Sequence, residues 1–200
     1  PQTVDLHFAL GSLFRRQGEI DRAIRMHQNL LDRPDLPSDR RTTATFELAQ
    51  DFHRAGLLDR AEDLFNRLNG TPYEHPSLSH LISIYETEKD WPKAIAATRR
   101  METLSKQPYF KEVAQYRCEL AQAALLRNDT DEAQKEIDAA LSEHRACARA
   151  NVLQGDLPYT TGMVLGHEIA GTVVETSGSV TRVGVGDRIA VLNSAVAACG

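Results

Sequence analysis

The sequence has 200 residues, of which 42% are hydrophobic and 26% charged, a composition that is typical of a soluble globular protein and excludes a disordered or collagen-like chain. Its formal net charge of −5 argues against nucleic acid or an anionic lipid surface as the main partner. Three scattered cysteines are too few for a disulfide framework, and no run approaches the roughly 18 apolar residues of a membrane span.

The composition changes abruptly near Gly155. Residues 1–155 contain 45 charged residues and 3 valines, whereas residues 156–200 contain 6 charged residues and 8 valines. Charge-rich sequence with few valines is typical of amphipathic helices, and sequence rich in valine, threonine and glycine is typical of strands and turns. We therefore predict a mainly α protein with two domains, a helical one over 1–155 and a short β-rich one over 156–200.

One local pattern occurs four times in the helical part. It consists of a turn residue, a short link, a helix-starting residue and an alanine, and successive alanines lie 38, 33 and 39 residues apart. Glycine and asparagine tolerate the positive φ of a helix C-terminus, and aspartate favours the start of the next helix. The pattern predicts four helix–turn–helix units and, over 146–155, the start of a fifth. The turn residues are Gly18, Gly56, Lys89 and Asn128, and the alanines are Ala23, Ala61, Ala94 and Ala133.

The first helix of each unit carries a mostly small residue and then, three positions on, a mostly bulky one, as in Gly11 and Phe14. This spacing resembles the tetratricopeptide repeat (TPR) in the first two units, while the third departs at Ile82 and Lys89 and the fourth at Ala124. The resemblance implies a solenoid of four stacked helical hairpins plus the start of a fifth, which binds segments of other proteins.

Residues 1–157 also resemble the lipopolysaccharide assembly protein B family, most clearly in the runs 10–15, 18–28 and 55–66. In that family a membrane anchor and a zinc module with paired cysteines flank the TPR solenoid, which lies in the cytoplasm at the inner membrane of Gram-negative bacteria. The resemblance implies an adaptor that brings a membrane AAA+ protease together with the deacetylase that commits lipid A synthesis. Neither the anchor nor the zinc module is matched in this sequence, so we expect the cytoplasmic scaffold alone.

The last 45 residues follow a different pattern. Apolar stretches alternate with Gly-Asp and Ser-Gly turns, and the Gly-His-Glu sequence at 166–168 is followed by Gly171 and by Val-Gly-Asp-Arg at 185–188. These motifs resemble the start of the GroES-like catalytic domain of zinc-dependent medium-chain alcohol dehydrogenases, with a departure at Ser177. So short a piece cannot close a barrel, and we therefore expect an incomplete β-rich fragment.

The dehydrogenase resemblance implies a zinc site that the sequence does not complete. It implies that His167 is a catalytic zinc ligand, that Glu168 is a neighbouring or alternative ligand, and that Cys199 opens the structural-zinc cluster. A catalytic zinc needs about three protein ligands. Cys147 lies 20 residues before His167, at the family's spacing, but it lacks the adjacent aspartate, and a buried helix position is the alternative interpretation. We expect no enzymatic activity and no cofactor, with zinc bound only if the fragment were complete.

The candidate protein-binding residues all lie in the helical part. Six arginines are either solvated charges on helix faces or part of a partner groove on the concave side of the solenoid: Arg15, Arg16, Arg22, Arg25, Arg99 and Arg100. Of these, Arg15, Arg22 and Arg99 are the candidate binding residues. Trp91 either packs the turn beside Pro92 or contacts a partner. His27 lies on an apolar helix face, where a core position is the simplest interpretation.

The two resemblances meet at 155–157, where Gly-Asp-Leu fits both. A crossover within 152–158 indicates a gene fusion, a chimera or a truncated chain. We predict a TPR scaffold for protein segments with a non-catalytic dehydrogenase remnant. The alternative is a piece of a zinc-dependent, NAD(P)-linked alcohol dehydrogenase.

Overall fold

The computed structural model describes residues 2–155, 157, 169–172 and 188–191. Nine α-helices occupy the first of these ranges, and one short strand occupies each of the last two. The helices are α1 (Gln2–Gln17), α2 (Ile20–Leu31), α3 (Ser38–Arg54), α4 (Leu58–Asn66), α5 (Glu74–Glu88), α6 (Trp91–Ser105), α7 (Phe110–Leu126), α8 (Thr130–Glu143) and α9 (Ala148–Gly155), and the strands are β1 (Ile169–Thr172) and β2 (Arg188–Val191).

The first eight helices form four hairpins, α1/α2, α3/α4, α5/α6 and α7/α8, each packed against the next. Helix α9 packs against α7 and α8 and so begins a fifth unit. This arrangement confirms the predicted TPR-like helical repeat. None of the described helices combines the length and the apolar character needed to cross a membrane.

The same turn ends the first helix of every hairpin. Gly18, Gly56, Lys89 and Asn128 have φ values of 82°, 75°, 58° and 58°. In each case the N–H of the following residue donates to the carbonyl five positions earlier, as Glu19 does to Phe14 at 2.9 Å. These bonds satisfy carbonyl groups that a helix end otherwise leaves unpaired. The repeated sequence pattern therefore marks a repeated backbone conformation.

The second helices begin directly after these turns. Asp90 accepts a hydrogen bond from the N–H of Lys93 at 3.2 Å, and Asp129 accepts one from the N–H of Glu132 at 3.1 Å. Such caps satisfy donors in the first helical turn. Because the link between helices is so short, the two helices of a hairpin must lie side by side.

The core lies between the helices of each hairpin and between neighbouring hairpins. The four predicted alanines, one in each second helix, are fully buried, because a small side chain lets two helices approach closely. Larger apolar side chains form three clusters, one around Leu30, one around Phe65 and Leu81, and one around Ile137.

Among the first three hairpins, the first helix of each contacts the first helix of the next. Helix α1 contacts α3, and α3 contacts α5, whereas the second helices α2, α4, α6 and α8 have no contacts with one another in the described residues. A stack whose units approach more closely on one side curves toward that side. The first helices therefore line the inner face of the solenoid, the surface that such proteins use for binding.

Strands β1 and β2 pair in antiparallel register, with Ile169 opposite Val191 and Thr172 opposite Arg188. Apart from residue 157 and these two strands, the predicted GroES-like fragment over 156–200 lies outside the described residues. The boundary between the two predicted domains remains a prediction.

Candidate functional site

A groove of about 470 Å³ lies on the first-helix face and is lined from α1, α3 and α5. Its volume falls in the range of ligand pockets. The lining contains three guanidinium groups and no carboxylate, although the whole chain carries a formal charge of −5. We call these six residues the basic groove: Arg15, Arg16, Gln50, His53, Arg54 and His80.

Arg15 is fixed at one side of the groove by two carboxylates of α3. Its Nη1 donates to Asp51 Oδ1 at 2.7 Å, and its Nη2 donates to Glu47 Oε2 at 2.5 Å. A further hydrogen bond joins Nη1 to the backbone carbonyl of Glu47 at 3.1 Å. Only 17% of the Arg15 side chain is exposed. Arg15 therefore ties α1 to α3, and nearby carboxylates balance its charge.

Asp51 also joins the first two hairpins through a buried contact with His27. The Nδ1 of His27 donates to Asp51 Oδ2 at 2.5 Å, and both side chains have no exposed surface. His27 is therefore a core residue, as predicted, but its polar partner was not predicted. The sequence signal for that partner is an aspartate in α3 that lies three residues after Leu48 and directly before Phe52.

The ring of His27 is accommodated by the absence of a side chain at Gly11. A Cβ atom at Gly11 would lie 2.4 Å from His27 Nε2, which is too close for any real contact. The same Nε2 atom is buried and has no hydrogen-bond partner. The small residue predicted at this position therefore allows α1 to pack closely against α2.

Arg16 and Arg54 are the exposed cations of the basic groove. In the part of the chain that the structure describes, neither has an ion pair or a hydrogen bond from its side chain. They occupy matching positions, five residues after Gly11 and Ala49 in the first helices of the first two hairpins. Arg54 was not among the candidates predicted from the sequence, although its repeat position was a usable signal.

His53 and His80 connect α3 to α5 on the same face. Their Nδ1 atoms lie 3.1 Å apart, and the ring of His80 stacks on Phe65 with centroids 4.8 Å apart. Burial lowers the pKa of His53 below its usual value. Burial, together with the charges of His53 and Arg15, also lowers the pKa of His80. At neutral pH both rings are therefore mainly neutral, and the arginines supply the positive charge of the groove.

Of the four predicted binding residues, the structure places only Arg15 in the basic groove. Arg22 lies on α2, with its guanidinium 4.0 Å from the centre of the Phe14 ring and an ion pair to Glu19. Arg99 on α6 pairs with Glu102 at 2.8 Å and with Glu143 of α8. A partner-binding role for either residue remains a prediction.

Trp91 lies at the start of α6 and packs against the next hairpin. Its ring stacks on Tyr116 of α7, with centroids 5.8 Å apart and an interplanar angle of 19°. The side chain is partly buried. Trp91 thus joins two hairpins, and contact with a partner remains a prediction.

Cys147 is buried in the helical core beside Cys118. The two sulfur atoms lie 3.8 Å apart, and both thiols are free. Burial, followed by the proximity of Cys147, raises the pKa of Cys118 to about 12. This environment supports the interpretation of Cys147 as a core residue. The pairing of two cysteines 29 residues apart was not predicted.

No metal centre can be assembled from the described residues, because no group of three histidine, cysteine or acidic side chains lies close enough among them. The zinc ligands implied by the dehydrogenase resemblance, His167, Glu168 and Cys199, lie outside the described residues. Their ligand roles remain predictions.

Two protein families match different parts of the chain. The Tetratricopeptide repeat family matches residues 8–74, which include the first two hairpins. The Alcohol dehydrogenase GroES-like domain family matches residues 136–200. Together with the stacked hairpins and their inner-face groove, these matches define the class of the helical part, which is a TPR scaffold.

Within that class, the chain is homologous to lipopolysaccharide assembly protein B. It is 38% identical to the Escherichia coli K12 protein over 154 residues, which are 76% of this chain and 40% of that protein. The Haemophilus influenzae protein is 34% identical over 159 residues, which are 79% of this chain and 40% of that protein. The chain thus spans two fifths of the length of these curated relatives.

The C-terminal part is similar to a different protein. A probable zinc-binding alcohol dehydrogenase of Mycobacterium tuberculosis is 49% identical over 47 residues, which are 24% of this chain and only 12% of that protein. The similarity is therefore to a fragment of a dehydrogenase.

Among solved structures, a tetratricopeptide repeat protein from Parabacteroides merdae aligns with a TM-score of 0.50 and 16% identity, covering 78% of this chain and 59% of that one. At this level of identity the likeness concerns the fold alone, and it agrees with the helical repeat described above.

Proposed function

We propose that this chain is a protein-interaction adaptor of the lipopolysaccharide assembly type, which holds a segment of another protein against its first-helix face. The observation that carries the proposal is the basic groove, a pocket on the inner face of the solenoid with two arginines that have no ion pair among the described residues. Inner faces of solenoids are extended binding surfaces. Homology over 154 residues to lipopolysaccharide assembly protein B supports this class of function.

The same homology supports a proposal for the specific pathway. We infer that the chain acts in the cytoplasm, at the inner face of the inner membrane in its full-length relatives. There it would bring a membrane AAA+ protease together with the lipid A deacetylase. The match spans 40% of the Escherichia coli protein, and the scaffold role is proposed for the stacked hairpins of this chain.

Direct binding tests this proposal. The purified chain would be immobilised, and the deacetylase and the soluble part of the protease would be passed over it separately, with serum albumin as the control. We expect saturable binding of at least one of the two enzymes and none of albumin. Absence of binding to both would refute the specific pathway and leave the TPR fold untouched.

For the C-terminal part we propose no catalytic function and no cofactor. The dehydrogenase similarity covers 47 residues, which are 12% of the relative, and the roles of His167, Glu168 and Cys199 as zinc ligands stay predictions. The alternative, a piece of a zinc-dependent, NAD(P)-linked alcohol dehydrogenase, is favoured by the family match over 136–200. One equivalent of bound zinc together with alcohol-dependent reduction of NAD would support that alternative, and we expect neither.

A further inference from the structure

Among the described residues, only one of the three arginines in the basic groove is paired with carboxylates. Arg15 faces Asp51 and Glu47 at 2.7 and 2.5 Å, so its charge is neutralised locally. Arg16 and Arg54 line the same groove and have no acidic partner among the described residues. Thirteen other pairs in the described residues show that carboxylates are abundant on this protein, yet none reaches these two arginines.

We propose that the basic groove binds an acidic segment of the partner polypeptide, whose aspartate or glutamate carboxylates pair with Arg16 and Arg54. The proposal rests on the scaffold function proposed above and specifies the chemistry of its partner. Guanidinium groups bind carboxylates through paired, charge-assisted hydrogen bonds. The amide of Gln50, which also lines the groove, can bond to the backbone of an extended peptide.

One side of the groove is held together by buried contacts. Arg15, Asp51 and His27 are joined by short contacts that link α1, α2 and α3. A binding surface that is already ordered avoids part of the entropy cost of association. Arg16 and Arg54 therefore lie on two helices, α1 and α3, that this network joins.

A peptide fits this surface better than a nucleic acid does. Nucleic-acid binding depends on a broad basic surface that neutralises many phosphates. This groove has three arginines, one of them already paired, in a chain with a net charge of −5. A few carboxylates presented on one extended segment match that limited charge.

Fluorescence anisotropy with the 200-residue chain tests the proposal. The probe is a fluorescein-labelled peptide of twelve residues with four glutamates, and its matched control has glutamine in place of each glutamate. We expect saturable binding of the acidic probe only. The double variant Arg16→Glu/Arg54→Glu should weaken that binding by about tenfold or more, since reversing contact charges turns attraction into repulsion.

A matched variant controls for the change in net charge. Arg25→Glu/Arg145→Glu reverses two exposed arginines outside the groove, and we expect it to bind the probe within about twofold of the parent chain. The milder Arg16→Gln/Arg54→Gln variant should also lose affinity, and circular dichroism would show that its helices persist. This second variant keeps the test decisive if the charge-reversed chain fails to fold.

Several outcomes would overturn the proposal. These are equal affinity for the glutamine peptide, equal losses in both double variants, or binding of a single-stranded oligonucleotide in preference to the acidic peptide. If the deacetylase or the protease binds the chain and Arg16→Glu/Arg54→Glu leaves that binding unchanged, the acidic-segment proposal fails while the scaffold function stands.

Discussion

At the scale of single residues, His27 and Asp51 determine how the first two hairpins meet. His27 lies four residues after Ala23, the position that Phe65 and Ile137 occupy in the second and fourth hairpins. A histidine there has a polar ring that burial would penalise without a partner. Asp51 provides that partner, and Arg15 in turn balances the carboxylate, so three helices depend on one small polar network.

Replacing Asp51 with alanine should destabilise the protein strongly. The substitution leaves His27 and Arg15 without their shared partner, and breaking a buried pair by removing one member costs about 3 kcal/mol. Urea denaturation followed by circular dichroism would measure the free energy of unfolding. Asp63→Ala, which breaks the exposed pair with Arg67, is the control and should cost roughly 0.5 kcal/mol. Similar losses in both variants would contradict the buried network.

Because Gly11 lies so close to His27, Gly11→Ala should destabilise the parent chain but stabilise a variant that lacks the His27 ring. In the parent chain Gly11→Ala should cost roughly 1–3 kcal/mol, because the new Cβ would lie 2.4 Å from the ring. In a His27→Ala background the same substitution should stabilise by about 0.5 kcal/mol, since alanine favours the helix over glycine. A double-mutant cycle of unfolding free energies would check this. Equal effects in both backgrounds would show that the two residues do not contact.

At the scale of elements, the hairpin turns share one backbone conformation but differ in sequence. Gly18 and Gly56 adopt positive φ at no steric cost, whereas Lys89 and Asn128 adopt it with a side chain attached. The turn is therefore imposed at Lys89 by the packing of the flanking helices. The third and fourth hairpins thus form despite a less favourable local sequence.

Lys89→Gly should therefore stabilise the protein by roughly 0.5–1 kcal/mol, because glycine relieves the strain of a positive φ at that turn. The reciprocal change, Gly18→Ala, should destabilise by about 1 kcal/mol for the same reason. Thermal and urea unfolding of both variants would measure the two effects. A loss of stability in Lys89→Gly would show that the lysine side chain stabilises the turn in another way.

The contact between α3 and α5 predicts a pH dependence of stability. Because the pKa values of His53 and His80 are lowered in the folded protein, the unfolded chain binds more protons just below pH 6.5. The free energy of unfolding should therefore fall as the pH drops from 7 through the lowered pKa values. The charge of Arg15 acts in the same direction, because it lowers the pKa of His80 further.

The variant His53→Gln/His80→Gln separates the effect of the two histidines on the free energy of unfolding from the effect of carboxylates, which titrate at lower pH. Urea unfolding at a series of pH values about half a unit apart should give a shallower pH dependence for the variant than for the parent chain between pH 7 and 5. Identical slopes would mean that the two histidines titrate normally in the folded state.

At the scale of the whole molecule, stability depends on the contacts between successive hairpins. The stability of a solenoid is approximately the sum of the stabilities of its units and of the interfaces between neighbours. Trp91 and Tyr116 stack across the interface between α6 and α7, and Tyr116 also donates to Glu86 of α5 at 2.5 Å. Beyond this interface, a separate apolar cluster holds α7, α8 and α9 together.

Trp91→Ala should uncouple the last described helices from the rest. Aromatic stacking contributes roughly 1 kcal/mol beyond burial, and its loss weakens one interface only. Hydrogen-exchange mass spectrometry should show faster exchange in α7–α9 relative to α1–α4. Trp91→Phe, which keeps an aromatic ring for stacking, should retain most of the protection. A uniform increase in exchange along the chain would contradict the interface model.

The helical repeat could be predicted from sequence because its signals are local. The turn residues, the alanines at regular intervals and the small residue at Gly11 each act on their own or adjacent helices. The candidate groove was predicted less well, and only Arg15 of its six residues was among the predicted binding positions. The groove is also lined by residues of two further helices, His53 and Arg54 of α3 and His80 of α5. The pattern within a single helix does not show that these residues lie side by side.

The sequence by itself determined the class of the helical part, the number of hairpins and the positions of their turns, because backbone preference and helical periodicity are encoded within short segments. Only the tertiary structure decided which charges are paired. Asp51 meets His27 across 24 residues and Arg15 across 36. Pairing of charges depends on distances between elements, and these are fixed only when the hairpins stack. For the same reason, only the stacked hairpins show that Arg16 and Arg54 share a groove in which no described carboxylate pairs with them.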